Sequence, residues 1–202
     1  MKKLFFLLII PVISSCGGAK YSYFFDTGKQ LDFSQGKWIL NNTQSNSKIF
    51  DRELYDASLK EFEKILGDSL LEMNELRSSK LVAPKIKFNL SEVDLKELRQ
   101  NTDSDYLINI KGNAISDGAG LLTLGDETED SSNRASVSIS IYDLNAAILI
   151  SSSQVYGKTV HNEPIFPEDK NPSTLNPSSN MIMVSGAKKL IRKYGKNSIG
   201  AK

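Results

Sequence analysis

The chain of 202 residues has one cysteine, Cys16, and one histidine, His161, and each scarcity removes a class of chemistry. A lone thiol closes no disulfide within the chain and builds no thiolate zinc site, and a lone histidine rules out mechanisms that need a histidine pair. His161 lies in a proline-rich stretch with no second histidine to help it hold a metal, and reads as a solvent-exposed loop residue. Charge of one sign is also missing, with 25 basic residues against 24 acidic ones, so nothing in the balance suggests capture of nucleic acid. No apolar run is long enough to cross a bilayer: the longest, Leu4 to Ile13, covers about 10 residues where roughly 20 are needed, and Pro11 interrupts it. There is no Ser/His/Asp constellation, zinc spacing or glycine-rich phosphate loop, so no catalytic residue, metal or cofactor is assigned. A carboxylate-based hydrolase stays open, because acids distant in sequence can meet in space.

What is present begins at the amino terminus. Lys2 and Lys3, the apolar run, then Ser14 and Ser15 ahead of Cys16 follow the charged, apolar and small-residue order of a secretory signal. Ile13-Ser14-Ser15-Cys16 resembles the lipobox that ends a bacterial lipoprotein signal. The resemblance implies a diacylglyceryl thioether on Cys16, cleavage between Ser15 and Cys16, and acylation of the new amino terminus. Two or three long acyl chains anchor a protein stably, whereas one binds only marginally. Loss of Met1 to Ser15 removes two lysines, leaving 23 basic against 24 acidic residues and a net charge near −1. With no disulfide to help, burial of apolar surface must hold the exported domain together.

From Gly17 to Gly36 the chain forms a short lead-in holding the aromatic cluster Tyr21, Tyr23, Phe24 and Phe25. These rings suit a lipid boundary, but packing on the domain as an added strand is the favoured reading. Lys37 to Leu40 reads as the first strand of the sheet proper, with Trp38 as a packing residue. Asp51 to Leu76 carries the clearest helical stripe: Leu54, Ser58, Phe62, Ile65, Leu66, Ser69, Met73 and Leu76. Asp51 is placed as its cap and Phe50 staples to Tyr55. Gly67 predicts a bend or close contact, and Glu53, Lys60, Glu61, Glu63, Lys64 and Glu72 read as a solvated face.

Leu81 to Phe88 is expected as a strand, with Pro84 at its start or on an edge. Ser91 to Gln100 reads as a short helix with Ser91 and Asp94 in a capping box, and Leu90 stapling to Leu95. Asp105 to Ile115 returns to strand. Ser116 to Asn133 is a long acidic hairpin loop whose apolar island, Leu121, Leu122 and Leu124, is a candidate partner or bilayer contact. Its acids lack the spacing of a calcium-binding hand. Arg134 to Tyr142 alternates Ala135, Val137, Ile139 and Ile141 with Ser136, Ser138 and Ser140, and pairs with Ala147 to Thr159 across a turn at Asp143 to Asn145. Val160 to Asn180 is a proline-rich excursion. Met181 to Tyr194 closes the chain as a helix that packs on the sheet, ended by Gly195.

Two stretches carry a second resemblance: Leu90 to Ile110, leading into "TDSDYLINIKG", and Val137 to Thr159, within "SVSISIYDLNAAILISSSQVYGKT". They are similar to the periplasmic domain shared by the curli-secretion-channel lipoprotein and the penicillin-binding-protein activator lipoprotein, to which the amino-terminal domain of the Tol-system propeller protein is related. The resemblance implies a binding and assembly module with no catalytic residues to transfer. It does not extend to a channel: Ser116 to Asn133 is too short and too acidic to supply two membrane-crossing hairpins.

The expected fold is therefore an α/β (α+β) two-layer sandwich. A mixed sheet of about five strands is packed by one long helix, a short helix and a C-terminal helix. Residues 1–15 are the signal, 16–36 the lipidated tether, 37–195 one domain and 196–202 a loose tail. The expected function is a non-catalytic module, lipid-anchored in the cell envelope, facing the periplasm from the outer membrane and binding another envelope protein, with an oligomer open. A small-ligand or glycan-binding lipoprotein is the alternative.

Overall fold

The alternating apolar positions of the long hairpin set the frame. The computed structural model describes residues 18–26, 31–79, 86–116, 132–159 and 177–199. Within them seven strands form one mixed sheet: β1 (Ala19–Phe24), β2 (Trp38–Leu40), β3 (Gln44–Ser45), β4 (Leu70–Glu72), β5 (Tyr106–Ser116), β6 (Arg134–Asp143) and β7 (Ile148–Thr159). Their order is β1-β7-β6-β5-β2-β4, with the two-residue β3 also on β5. The β1, β7, β6 and β5 ladders are antiparallel, whereas β5, β2 and β4 run parallel. Four helices join them: α1 (Asp51–Leu66), α2 (Met73–Ser79), α3 (Glu92–Thr102) and α4 (Ser179–Asn197).

One face of the sheet is sealed from β2 to β1. Trp38 and Leu40 of β2, Ile108 and Ile110 of β5, and Val137, Ile139 and Ile141 of β6 bury against Leu54 and Phe62 of α1 and against Ile182, Met183, Leu190, Ile191 and Tyr194 of α4. Side chains alternate along a strand, so Ile39 and Leu107 point the other way. They meet Met73 and Leu76 of α2, Leu95 and Leu98 of α3, and Tyr142, Leu144 and Ala147. Close approach of α4 depends on two bare positions. A side chain at Gly112 would collide with Met183, and one at Gly157 with Ile182 and Tyr21.

The α+β mixed sheet stands as expected, with more strands than about five. Helices pack on it as expected, with α1 and α4 on one face and, at the β2-β5 half, α2 and α3 on the other. The continuous helix through Leu76 is corrected: α1 stops at Gly67, which takes φ 52° and ψ −131°, and the chain turns into β4 before α2 begins. Positive φ is open to glycine at little cost, so here backbone freedom outweighs the helical stripe. Asp51 does not cap α1. Its carboxylate accepts the Ser45 N–H and hydroxyl, each at 2.6 Å, tying α1 to β3.

The capping box is present at α3: the Ser91 hydroxyl accepts the Asp94 N–H, and Asp94 accepts the Ser91 N–H. Leu90 packs on the cluster that contains Leu95. Ile86 to Phe88 carry no ladder, and the rest of the strand expected from Leu81 falls outside the described residues. α4 runs past Gly195 to Asn197, and Ile199 bridges to Asp32, so these residues lie against the domain.

Candidate functional site

At its β1 end the sheet is covered, among the described residues, on one side only. Apolar residues of β6 face α4, so their neighbours Ser136, Ser138 and Ser140 share the reverse face with Ser152, Gln154 and Tyr156 of β7. β1 continues this face with Lys20, Ser22 and Phe24, paired with Lys158, Tyr156 and Gln154. From β5 it takes Lys111 and Asn113. No helix or strand among the described residues packs on it. The result is a flat polar surface edged by Phe24, which is 70% exposed. β1 pairs with β7 on one side, and among the described residues no strand pairs with its other edge. An edge of that kind offers main-chain N–H and C=O groups to an incoming strand.

The helix side of the same edge is built differently. Tyr21 and Tyr23, with Phe25 just beyond β1, turn towards α4, where two lysines sit over their rings. Lys189 Nζ lies 5.0 Å from the Tyr21 centroid, and Lys193 Nζ lies 5.0 Å from Tyr23 and 5.2 Å from Phe25. Ammonium groups within about 6 Å of a ring face are held by its quadrupole. The Tyr21 hydroxyl donates to the Ile182 carbonyl at 3.5 Å. Burial pushes the Tyr21 and Tyr23 phenols above their ordinary range, so they stay neutral beside the lysines. Phe25 packs 4.9 Å from the buried Tyr194, whose hydroxyl shares a hydrogen bond with Ser151 at 2.8 Å.

A cleft of about 500 Å³ opens beside α1, lined by Asn42, Thr43, Asp51, Arg52, Tyr55, Asp56, Leu59 and Glu72. Two of its three acids are engaged by neighbours. Asp51 is held by Ser45, and Asp56 lies 3.7 Å from Arg52. Among the described residues the buried Tyr55 hydroxyl has no hydrogen-bond partner, and its pKa is pushed up to about 12, first by burial and then by the nearby Glu72. Among the described residues, no three His, Cys, Asp or Glu side chains gather where a metal ion could sit. Nor is any described helix long and apolar enough to cross a membrane.

Of the residues singled out from sequence, Cys16, His161, Leu121, Leu122 and Leu124 lie outside the described residues. Two features went unseen. Glu61, read as part of a solvated face, is 95% buried in effect, with 5% side-chain exposure, and receives both Arg192 Nε at 2.8 Å and Arg192 Nη2 at 2.7 Å. Lys64 adds a contact at 3.0 Å. These partners, Arg192 foremost, lower the Glu61 pKa to about 2. Asn41, just past β2, donates to Asn109 Oδ1 at 2.9 Å on the doubly covered half, and Asn109 donates to the Phe88 carbonyl at 3.3 Å. The lysine ladder had a sequence signal, since α4 lysines four apart can meet rings two apart on a neighbouring strand.

The geometry defines a mixed-sheet α+β domain with a one-sided end. No protein-family model matches the chain, and no curated protein matches it either. Among solved structures it is similar to the PelC dodecamer from Paraburkholderia phytofirmans, with 9% identity and a TM-score of 0.46 over 89% of this chain and 96% of that one. It is also similar to the hypothetical protein CT253 from Chlamydia trachomatis, with 11% identity and a TM-score of 0.39 over 79% and 93% of the two chains. Neither likeness transfers a residue or an activity.

Proposed function

We propose that this chain is a lipid-anchored, non-catalytic cell-envelope protein that faces the periplasm and binds another envelope protein through the β6-β7-β1 end of its sheet. The anchor rests on the lipobox-like residues ending at Cys16. The binding role rests on one observation above the others: an antiparallel sheet whose serine-lined face has nothing packed on it among the described residues. A face left for water alone would tolerate any polar residue, but Ser136, Ser138 and Ser140 of β6, with Ser152 of β7, leave a low strip between longer side chains that a partner can approach closely.

The reading is tested in two arms. Intact mass should show added acyl groups on the wild-type chain, and Cys16→Ser should leave the membrane fraction. Separately, capture of the detergent-solubilised chain should return one reproducible envelope protein, lost with Ser138→Arg and retained with Val93→Arg on exposed α3. Full membrane yield for Cys16→Ser contradicts the anchor, and capture indifferent to Ser138→Arg contradicts the surface.

A further inference from the structure

β1 starts at Ala19, three residues beyond Cys16. At about 3.5 Å per residue, a lipid on that cysteine would hold the start of β1 within roughly 10 Å of the bilayer. The inference that follows rests on the anchor proposed above. Side chains gathered along this rim have the make-up of an interfacial surface. Met181, 58% exposed, stands at the start of α4 beside the Ile182 carbonyl that takes the Tyr21 hydroxyl. Beyond it come Lys189 over Tyr21, then Lys193 over Tyr23 and Phe25, with Phe24 projecting from the reverse face of the same strand.

Charge on this rim is one-sided. On the rim α4 contributes Lys189 and Lys193 and no acid, while its Arg192 turns to Glu61 of α1 and Lys196 lines the cleft beside the same glutamate. Asp26, following Phe25, is the acidic residue at the far end of the ladder. Aromatic rings favour the headgroup level of a bilayer, and lysine stems lie along apolar surface while their ammonium groups reach phosphate. Each lysine near an anionic surface is worth about 1 kcal/mol, and a tether of a few residues keeps that surface at high effective concentration.

We propose that the rim formed by β1 and α4 seats on an anionic phospholipid surface. The domain then stands edge-on, with β1 against the bilayer and β4, the opposite edge, pointing away. Seating fixes the orientation in which the serine-lined face meets its partner.

The lipidated chain itself provides the test, because acylation consumes its only thiol and leaves a cysteine introduced by Phe24→Cys as the single site for an environment-sensitive fluorophore. Val93→Cys on α3, where Val93 is 73% exposed, is the control. In vesicles of phosphatidylethanolamine and phosphatidylglycerol, the label at 24 is expected to shift to the blue and be quenched by nitroxide lipid. In phosphatidylcholine alone the response should be weak, and the label at 93 should stay aqueous in both. Lys189→Gln and Lys193→Gln should each lower the seated-to-free ratio about fivefold.

Equal aqueous signals at 24 and 93 in anionic vesicles, with the chain still floating, overturn the rim while sparing the anchor. A shift at 24 that needs added envelope protein assigns the rim to a protein and also overturns it. Failure to float with phosphatidylcholine counts against the anchor. In that event, flotation with anionic vesicles that the lysine substitutions abolish supports the rim, and no flotation with either overturns it.

Discussion

Around β2, β4 and β5 the sheet is apolar above and below, with Ile39 and Leu107 fully buried on one face and Leu40 and Ile108 fully buried on the other. Around β6, β7 and β1 the same sheet is apolar on one side and lined with serine on the reverse. The first half uses both faces of each strand to stabilise the fold; the second commits one face to stability and, among the described residues, has no element packed on the other. The contrast also explains the buried asparagines. A main chain laid on the doubly covered half at Ile86 to Phe88 brings carbonyls with no ladder, and Asn41 and Asn109 satisfy them in a site closed to water.

Substitutions in the two halves should separate stability from binding. Leu107→Ala removes a fully buried side chain and should cost about 3 kcal/mol in denaturant unfolding, whereas Ser138→Ala should change stability by less than about 0.5 kcal/mol. Comparable losses at the two sites would erase the distinction. A smaller effect tests how the covered face is clamped. Glu61 has its pKa lowered to about 2, chiefly by Arg192. Its stabilisation is therefore complete above the ordinary glutamate range and is lost as pH falls from about 4.5 through about 2. Because Arg192 is 58% exposed, water screens the pair, and Arg192→Ala should cost about 2 kcal/mol at neutral pH, less than the full shift implies. That deficit should shrink as acid unfolding is approached; a constant deficit would show that packing, not charge, is what was lost. A loss smaller than that of Arg192→Ala is expected for Gly67→Ala. Nothing lies within 4 Å of the added carbon, so only the positive φ opposes it, and about 1 kcal/mol should be lost.

Local signals carried far into the structure. Alternation along Ala135 to Ile141 placed the hairpin, and Ser91 with Asp94 placed the start of α3, because both depend on neighbours in sequence. Features set by distant partners were not legible in the same way. Glu61 looks like any exposed glutamate until Arg192 arrives from the last helix, 131 positions away. The stripe from Leu54 to Leu76 is a true burial pattern, yet Gly67 divides it between a helix on one face and β4 with α2 towards the other. Of the candidate site, the rings of β1 and the lysines of α4 were each visible, but their stacking required the register of β1 on β7. The uncovered face was written as serines at 136, 138 and 140, and only the placement of α2 and α3 over the opposite half shows what remains open.

The central claim is that the open half exists for contact, and photo-crosslinking in intact cells tests it most directly. A crosslinking residue placed at Ser138 or Ser152 should form one discrete adduct with a second envelope protein, and the same residue at Val93 on α3 should form none. Adducts of equal yield at all three positions, or none at Ser138 and Ser152 under conditions that crosslink a known envelope pair, would contradict it.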